Sequence, residues 1–190
     1  MLIRTGFDIC FRTWQPIPTM LLLSVLPEHE PQLRTLQRIV TEPEIQLHHF
    51  HDGFGNHATR CVLPPGDTWL RSDFVVEVPD EADPVVPDAV QHAVSELPDD
   101  VLVYLLGSRY CEVGKLTQEA WGATSHLTTG WDKVQALVDL AHDQIEFGYV
   151  HARSDRTALD AFGERAGVCR DFAHLAVTLC REVNIPARYC

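Results

Sequence analysis

The stretch Gly167-Val168-Cys169-Arg170-Asp171-Phe172-Ala173-His174-Leu175, continued by Cys180-Arg181 and Ile185-Pro186-Ala187-Arg188-Tyr189, decides the reading of this chain. From Cys169 to Val183, Phe172, Leu175, Ala176, Leu179 and Val183 recur at helical spacing, so the segment reads as an amphipathic helix. Gly163 to Gly167 reads as the loop before it. Asn184 is a suitable left-handed cap, and Pro186 forbids continuation. Cys169 therefore falls in the first turn. A free thiol with a pKa of about 8.5 is only slightly ionised at neutral pH, and the thiolate is the nucleophile. A helix N-terminus offers partial positive charge and unpaired N–H groups that favour the anion and can cradle an oxyanion. Position alone thus sets Cys169 apart from the other five cysteines, although a buried structural cysteine remains the competing reading.

Upstream of this helix the apolar period is also about 3.6. Pro98-Asp99-Asp100 opens a short helix closed by Gly107, a second starts near Thr117, and a third is capped by Thr129 and Asp132. Val134, Leu137, Val138, Ala141 and Ile145 line one face of the third, which ends before Gly148. Ser154 or Asp155 is expected to cap a brief helix over 157–162. The first 78 residues differ: short alternating or β-branched runs are broken by turn residues, as in an antiparallel β domain. The expected strands are Leu2 to Arg12, Thr19 to Leu26, Glu44 to His51, His57 to Leu63 and Trp69 to Val78. Asp52-Gly53-Phe54-Gly55-Asn56 supplies a tight turn. Pro79 to Pro98 is rich in proline and acid and marks a boundary. The domains are therefore expected at 1–80 (β-rich), 81–97 (linker) and 98–190 (the helical part that carries Cys169).

With 190 residues, 45% of them hydrophobic, the chain can bury a core, which excludes disordered and fibrous classes. A net charge of -12, with no basic run, argues against nucleic acid as a partner. The longest apolar stretch, Met20 to Leu26, is too short to span a bilayer, and a secretory leader pattern does not open the chain. No membrane partner and a cytoplasmic location are expected. Cys10, Cys61, Cys111, Cys169, Cys180 and Cys190 form no Cys-x-x-Cys pair, so zinc knuckles and a disulfide framework are not indicated.

The Gly167 to Leu175 motif with its Ile185-Pro186-Ala187-Arg188-Tyr189 sequel closely resembles the nucleophile motif of transglutaminase-like proteins, which have a papain-like core. Phe147 to Tyr149, Ser154 and Thr157-Ala158-Leu159 also resemble that family's approach to the motif, so the core resemblance covers about Thr129 to Cys190. Residues 1 to 78 resemble the β-rich domain preceding this core in bacterial members. The resemblance implies that Cys169 attacks an amide carbonyl of a protein or peptide substrate, giving a thioester that an amine or water resolves. It implies structural support of the site from Asp171, whose charge would oppose a nearby thiolate, and from Arg188, whose fork is expected to pair with Asp171. The family's His and Asp lie on strands after the cysteine helix, and no family position before Cys169 matches a histidine here. His174 lies about 140° around the helix from Cys169 and cannot face it. A chain stopping at Arg188-Tyr189-Cys190 as a strand begins is expected to be truncated, and in this length to turn over no amide.

His49, His51 and His57 can approach one another across the turn, so a metal site is geometrically open, but exposed strand histidines are commonplace and no metal is assigned. Trp14, Trp69, Trp121 and Trp131 are read as packing anchors. No EF-hand spacing occurs, and no cofactor is expected. The reading is an α+β protein: an N-terminal antiparallel β-sandwich-like domain, then the helical half of a papain-like core acting by thiol-dependent acyl transfer or hydrolysis. The alternative is a non-catalytic binding or scaffold module on the same fold.

Overall fold

Leu2–Thr13 (β1) and Gly66–Glu77 (β6) pair antiparallel along their whole length, from Leu2 opposite Glu77 to Thr13 opposite Gly66. Val40–Glu42 (β3) adds to the other edge of β6, giving the order β1-β6-β3. A second antiparallel sheet, β2-β5-β4, combines Ile17–Leu21 (β2), His57–Leu63 (β5) and His48–His51 (β4). Leu21, Cys61 and Leu63 from one sheet meet Leu70, Phe7 and Phe11 from the other, with Ile39, Leu23, Ile45 and Leu47 filling the edges. Two sheets burying one shared core is the sandwich solution for half-buried strands. This computed structural model describes residues 1–82 and 84–189, which fall into two units, Met1–Asp83 and Pro84–Cys190.

The turn between β4 and β5 is built by Asp52. Its Oδ1 accepts from the N–H groups of Phe54 (2.8 Å) and Asn56 (2.9 Å), and Gly55 takes the positive φ of 81° that the turn needs. Strand boundaries shift from the sequence expectation where packing overrides pattern. The run Thr19 to Leu26 pairs only as far as Leu21, and Glu44 to His51 only from His48. β3 was not expected, since three residues carry too little periodicity to be read.

In the second unit, Thr117–Thr124 (α1), Gly130–Gln144 (α2), Ala158–Glu164 (α3) and Cys169–Glu182 (α4) enclose Leu116, Ala120, Leu137, Ala141, Ile145, Ala161, Leu175, Leu179, Cys180 and Val183. Thr129 caps α2, accepting from Asp132 N–H at 3.0 Å. Thr157, rather than Ser154 or Asp155, caps α3: its hydroxyl accepts from Asp160 N–H, and the Asp160 carboxylate accepts from Thr157 N–H, each at 3.2 Å. The helix expected near Pro98 is a tighter 3-10 segment, Asp99–Leu105, in keeping with β-branched Val101 and Val103. Residues 84–97 of the expected linker belong to this unit. Ala89 O accepts from Gly130 and Trp131 N–H (2.7 and 3.2 Å), while Gln91 donates to Val183 O (2.7 Å) and accepts from Lys133 Nζ (2.8 Å). Among the described residues, no helix is long and apolar enough to cross a membrane.

The far end of α4 is fixed by a buried carboxylate. Glu182 Oε1 accepts from the N–H groups of Gly114, Lys115 and Leu116 at 2.7–2.9 Å, and its Oε2 from Thr117 Oγ1 at 2.7 Å. These are donors at the start of α1 that would otherwise be buried unpaired. Arg181 beside it donates to Ala187 O through Nε (2.9 Å) and to Leu106 O through Nη1 (2.7 Å). Glu182→Ala is expected to cost about 3 kcal/mol in urea unfolding, because it strands several buried donors at once, whereas Glu182→Gln should recover part of the loss.

Candidate active site

Cys169 is presented by a short run of extended chain that turns directly into helix. Glu146–Phe147 (β7) and Ala166–Gly167 (β8) pair in parallel, and Gly148 N–H donates to Gly167 O at 3.0 Å. Arg165, left-handed at φ 57°, ends α3 and leads into β8. Val168 is the extended N-cap, and Cys169 is the first residue of α4, with its side chain exposed. Gly167 is required by close approach: a Cβ there would lie 2.8 Å from Asp171 Cβ and 2.9 Å from its Oδ2. The glycine two residues before the cysteine therefore exists to let Asp171 fold back beneath the loop.

That folding back is a lock. Asp171, 1% exposed, accepts from Val168 N–H (2.9 Å, Oδ2), from Arg156 Nη1 (3.2 Å, Oδ2) and from Arg170 Nη2 (3.2 Å, Oδ1). Burial pushes its carboxyl upward, but the hydrogen bonds from Val168, Arg170 and Arg156 outweigh burial and hold it below the ordinary carboxylate range. Arg156 is itself buried and serves three elements. It reaches Glu164 Oε2 of α3 through Nε (3.0 Å) and Nη2 (2.9 Å), Asp171 of α4, and the carbonyl of His151. Arg156 was not singled out from the sequence. The signal available was chemical: a carboxylate buried in the first turn needs a cation, and Arg156 lies within the Ser154 to Thr157 segment.

The expected pairing of Asp171 with Arg188 does not form. The two are separated by most of α4, roughly 16 Å of rise. Arg188 instead donates through Nη1 to Tyr104 Oη at 3.0 Å and lies 5.4 Å from the Tyr104 ring centroid, while Ala187 N–H donates to Tyr104 O at 3.2 Å. Arg188 thus fastens the segment after α4 to the Asp99–Leu105 turn. His174 is buried against Tyr110 (centroids 5.3 Å, planes at 6°) and Tyr189 (5.5 Å), and its Nδ1 meets no hydrogen-bond partner. Its ring packs between Tyr110 and Tyr189.

Of the other thiols, Cys61, Cys111 and Cys180 are buried, and burial raises Cys61 and pushes Cys180 up to about 11. Only Cys10 shares the exposure of Cys169 among the described cysteines. In the first unit, a cavity of about 1130 Å³ is lined by residues including Arg34, Arg38, His49 and His57, and carries none of the cysteine chemistry. His57 lies 5.2 Å from His51 and 5.9 Å from His49 by ring centroid, and among the described residues no three His, Cys, Asp or Glu side chains are grouped to hold a metal.

Two outcomes follow from these partners. Asp171→Asn breaks a buried ion pair and should lower stability by about 3 kcal/mol in urea unfolding. For His174, burial, aided by the charge of Arg170 and only partly opposed by Asp171, holds the imidazole below its ordinary range. The unfolded chain then takes up the proton first, so stability is full above about pH 6.5 and falls as the pH drops below it. The urea midpoint should decline between pH 7 and 5.5, and His174→Phe, which keeps the stack on Tyr110, should flatten that decline.

Residues 115–190 match the family model described as the transglutaminase-like superfamily. A solved structure of a candidate cysteine protease from Cytophaga hutchinsonii superposes with a TM-score of 0.76 at 23% identity, covering 98% of this chain and 67% of that one. At that identity the likeness is one of fold. No curated protein matches the chain. An exposed cysteine opening a helix and a glycine making room for its aspartate lie within the matched core, and residues 115–190 are similar to the transglutaminase-like superfamily.

Proposed function

We propose that Cys169 is the nucleophile of a thiol-dependent acyl transfer or hydrolysis at amide bonds, in the manner of a transglutaminase or cysteine protease. The observation that carries the reading is the placement of an exposed thiol at the first residue of a 14-residue helix whose start is rigidly held. Its sulfur attacks an acyl carbon to give a tetrahedral oxyanion, and collapse expels the leaving group and leaves a thioester. The N–H groups of Cys169 and Arg170 have no intrahelical partner, as at any helix start, and are suited to the developing oxyanion. The negative charge of Asp171 would oppose a thiolate at Cys169, two residues before it, but Arg156 and Arg170 bind that charge from two sides. Asp171 supports the site from beneath, whereas Arg188, fastened to Tyr104 beyond the far end of α4, supports the helix rather than the thiol. The acceptor, amine or water, and the protein or peptide donor are chosen by groups beyond this helix start.

Iodoacetamide labelling followed by mass spectrometry should show Cys169 reacting at least about ten times faster than Cys10, which is also exposed but lies on a β-strand. An activated thioester should add one acyl group, lost in Cys169→Ala. Equal labelling of the two thiols, or acylation that survives Cys169→Ala, would leave the chain as a binding module on the same fold.

A further inference from the structure

Beside Cys169 the surface carries large apolar side chains that the fold does not bury. Phe147 is 53% and Tyr149 77% exposed, and Val150 continues the apolar run into solvent. Gly148 between the two aromatics is extended (φ -174°, ψ 131°), so Phe147 and Tyr149 project to the same side, and their rings meet edge to face at 5.3 Å. Phe147 in turn lies 6.4 Å from Phe172, and His142 approaches Phe172 from the other side at 6.3 Å. Phe172 stands three residues after Cys169 on α4, hence on the adjoining face of the helix. The hydrogen bond from Gly148 N–H to Gly167 O fixes this ridge against the strand that delivers the cysteine. A two-residue strand and the turn after it gain little from presenting two aromatic rings to water, and clustered exposed aromatics of this kind are a feature of recognition surfaces.

We infer that Phe147, Tyr149 and Phe172 form the wall of an acyl-donor subsite that selects substrates carrying an aromatic or large aliphatic side chain next to the scissile amide. The occupant follows from position: whatever is attacked by Cys169 lies along α4's first turn, and this ridge reaches that turn through Phe172 and through the pairing of Phe147 with Gly167. This subsite rests on the reading of Cys169 as nucleophile, and the experiment separates the two.

The full chain is treated with N-acetyl-phenylalanyl and N-acetyl-glycyl chloromethyl ketones, and adducts at Cys169 are timed by mass spectrometry. In each, the Cys169 sulfur displaces chloride: a C–S bond forms, the C–Cl bond breaks, chloride leaves with the electron pair and the thiol proton passes to buffer. The phenylalanyl reagent should show a KI about ten times lower than the glycyl one, with similar kinact, as burial of part of an aromatic ring allows. Phe147→Ala and Tyr149→Ala, both at exposed positions, should cut that ratio to about two or three while leaving the iodoacetamide rate of Cys169 unchanged. Equal KI values for the two reagents, with Cys169 still rapidly alkylated by iodoacetamide, would overturn the subsite and leave the nucleophile standing. A Cys169 inert to iodoacetamide would overturn both.

Discussion

The geometry of the cysteine depends on one buried interaction, the carboxylate of Asp171 held under the loop it follows. Its oxygens bind Val168 N–H, Arg156 and Arg170 together, so the turn from strand to helix is tied from three directions. Removing one member of such a set leaves a buried charge or donor uncompensated, which costs more than the intact set contributes. The requirement spreads outward. Gly167 has no side chain because Asp171 occupies the space, Arg156 is buried because Asp171 and Glu164 both need it, and the turn carrying His151 is drawn in by the same guanidinium.

A second buried carboxylate does the same at the other end of the helix. Glu182 gathers the first donors of α1, and Arg181 next to it gathers carbonyls from Ala187 and Leu106. Between the two ends α4 presents Leu175, Leu179 and Val183 to the core, so apolar packing fixes its axis while the polar sets fix its termini. The catalytic reading draws on this division. A helix pinned at both ends keeps its first N–H groups in place, and preorganised donors need no rearrangement when charge develops in front of them.

His174 shows that a polar residue in the motif need not take part in chemistry. It lies flat on Tyr110, with Nδ1 unpartnered and its ionisation suppressed by burial. The helical offset of five residues already placed it on another face from Cys169, and the stack explains what it does there. The exposed aromatics of β7 and its connection have no comparable partner in the core, which is why they are read as surface for a substrate.

Local chemistry written in the sequence determined much of this protein. The apolar period of α4, Asn184 taking φ 63° after the helix, the Thr129 cap of α2 and the Asp52 turn are all set by residues a few positions apart. The motif likewise announced Cys169 as the first residue of a helix. Tertiary structure decided the partners. Arg188 was the expected mate of Asp171, yet helix length carries them apart, and the cations that arrive are Arg156, across a loop and α3, and Arg170, its own neighbour. The role of residues 84–97 was equally out of reach, because a strap rich in proline reads as a linker until its carbonyl is seen closing the start of α2. Patterns with a short period can be read along the chain, but a buried charge is satisfied by whatever the packing brings to it, and that is a property of the folded molecule alone.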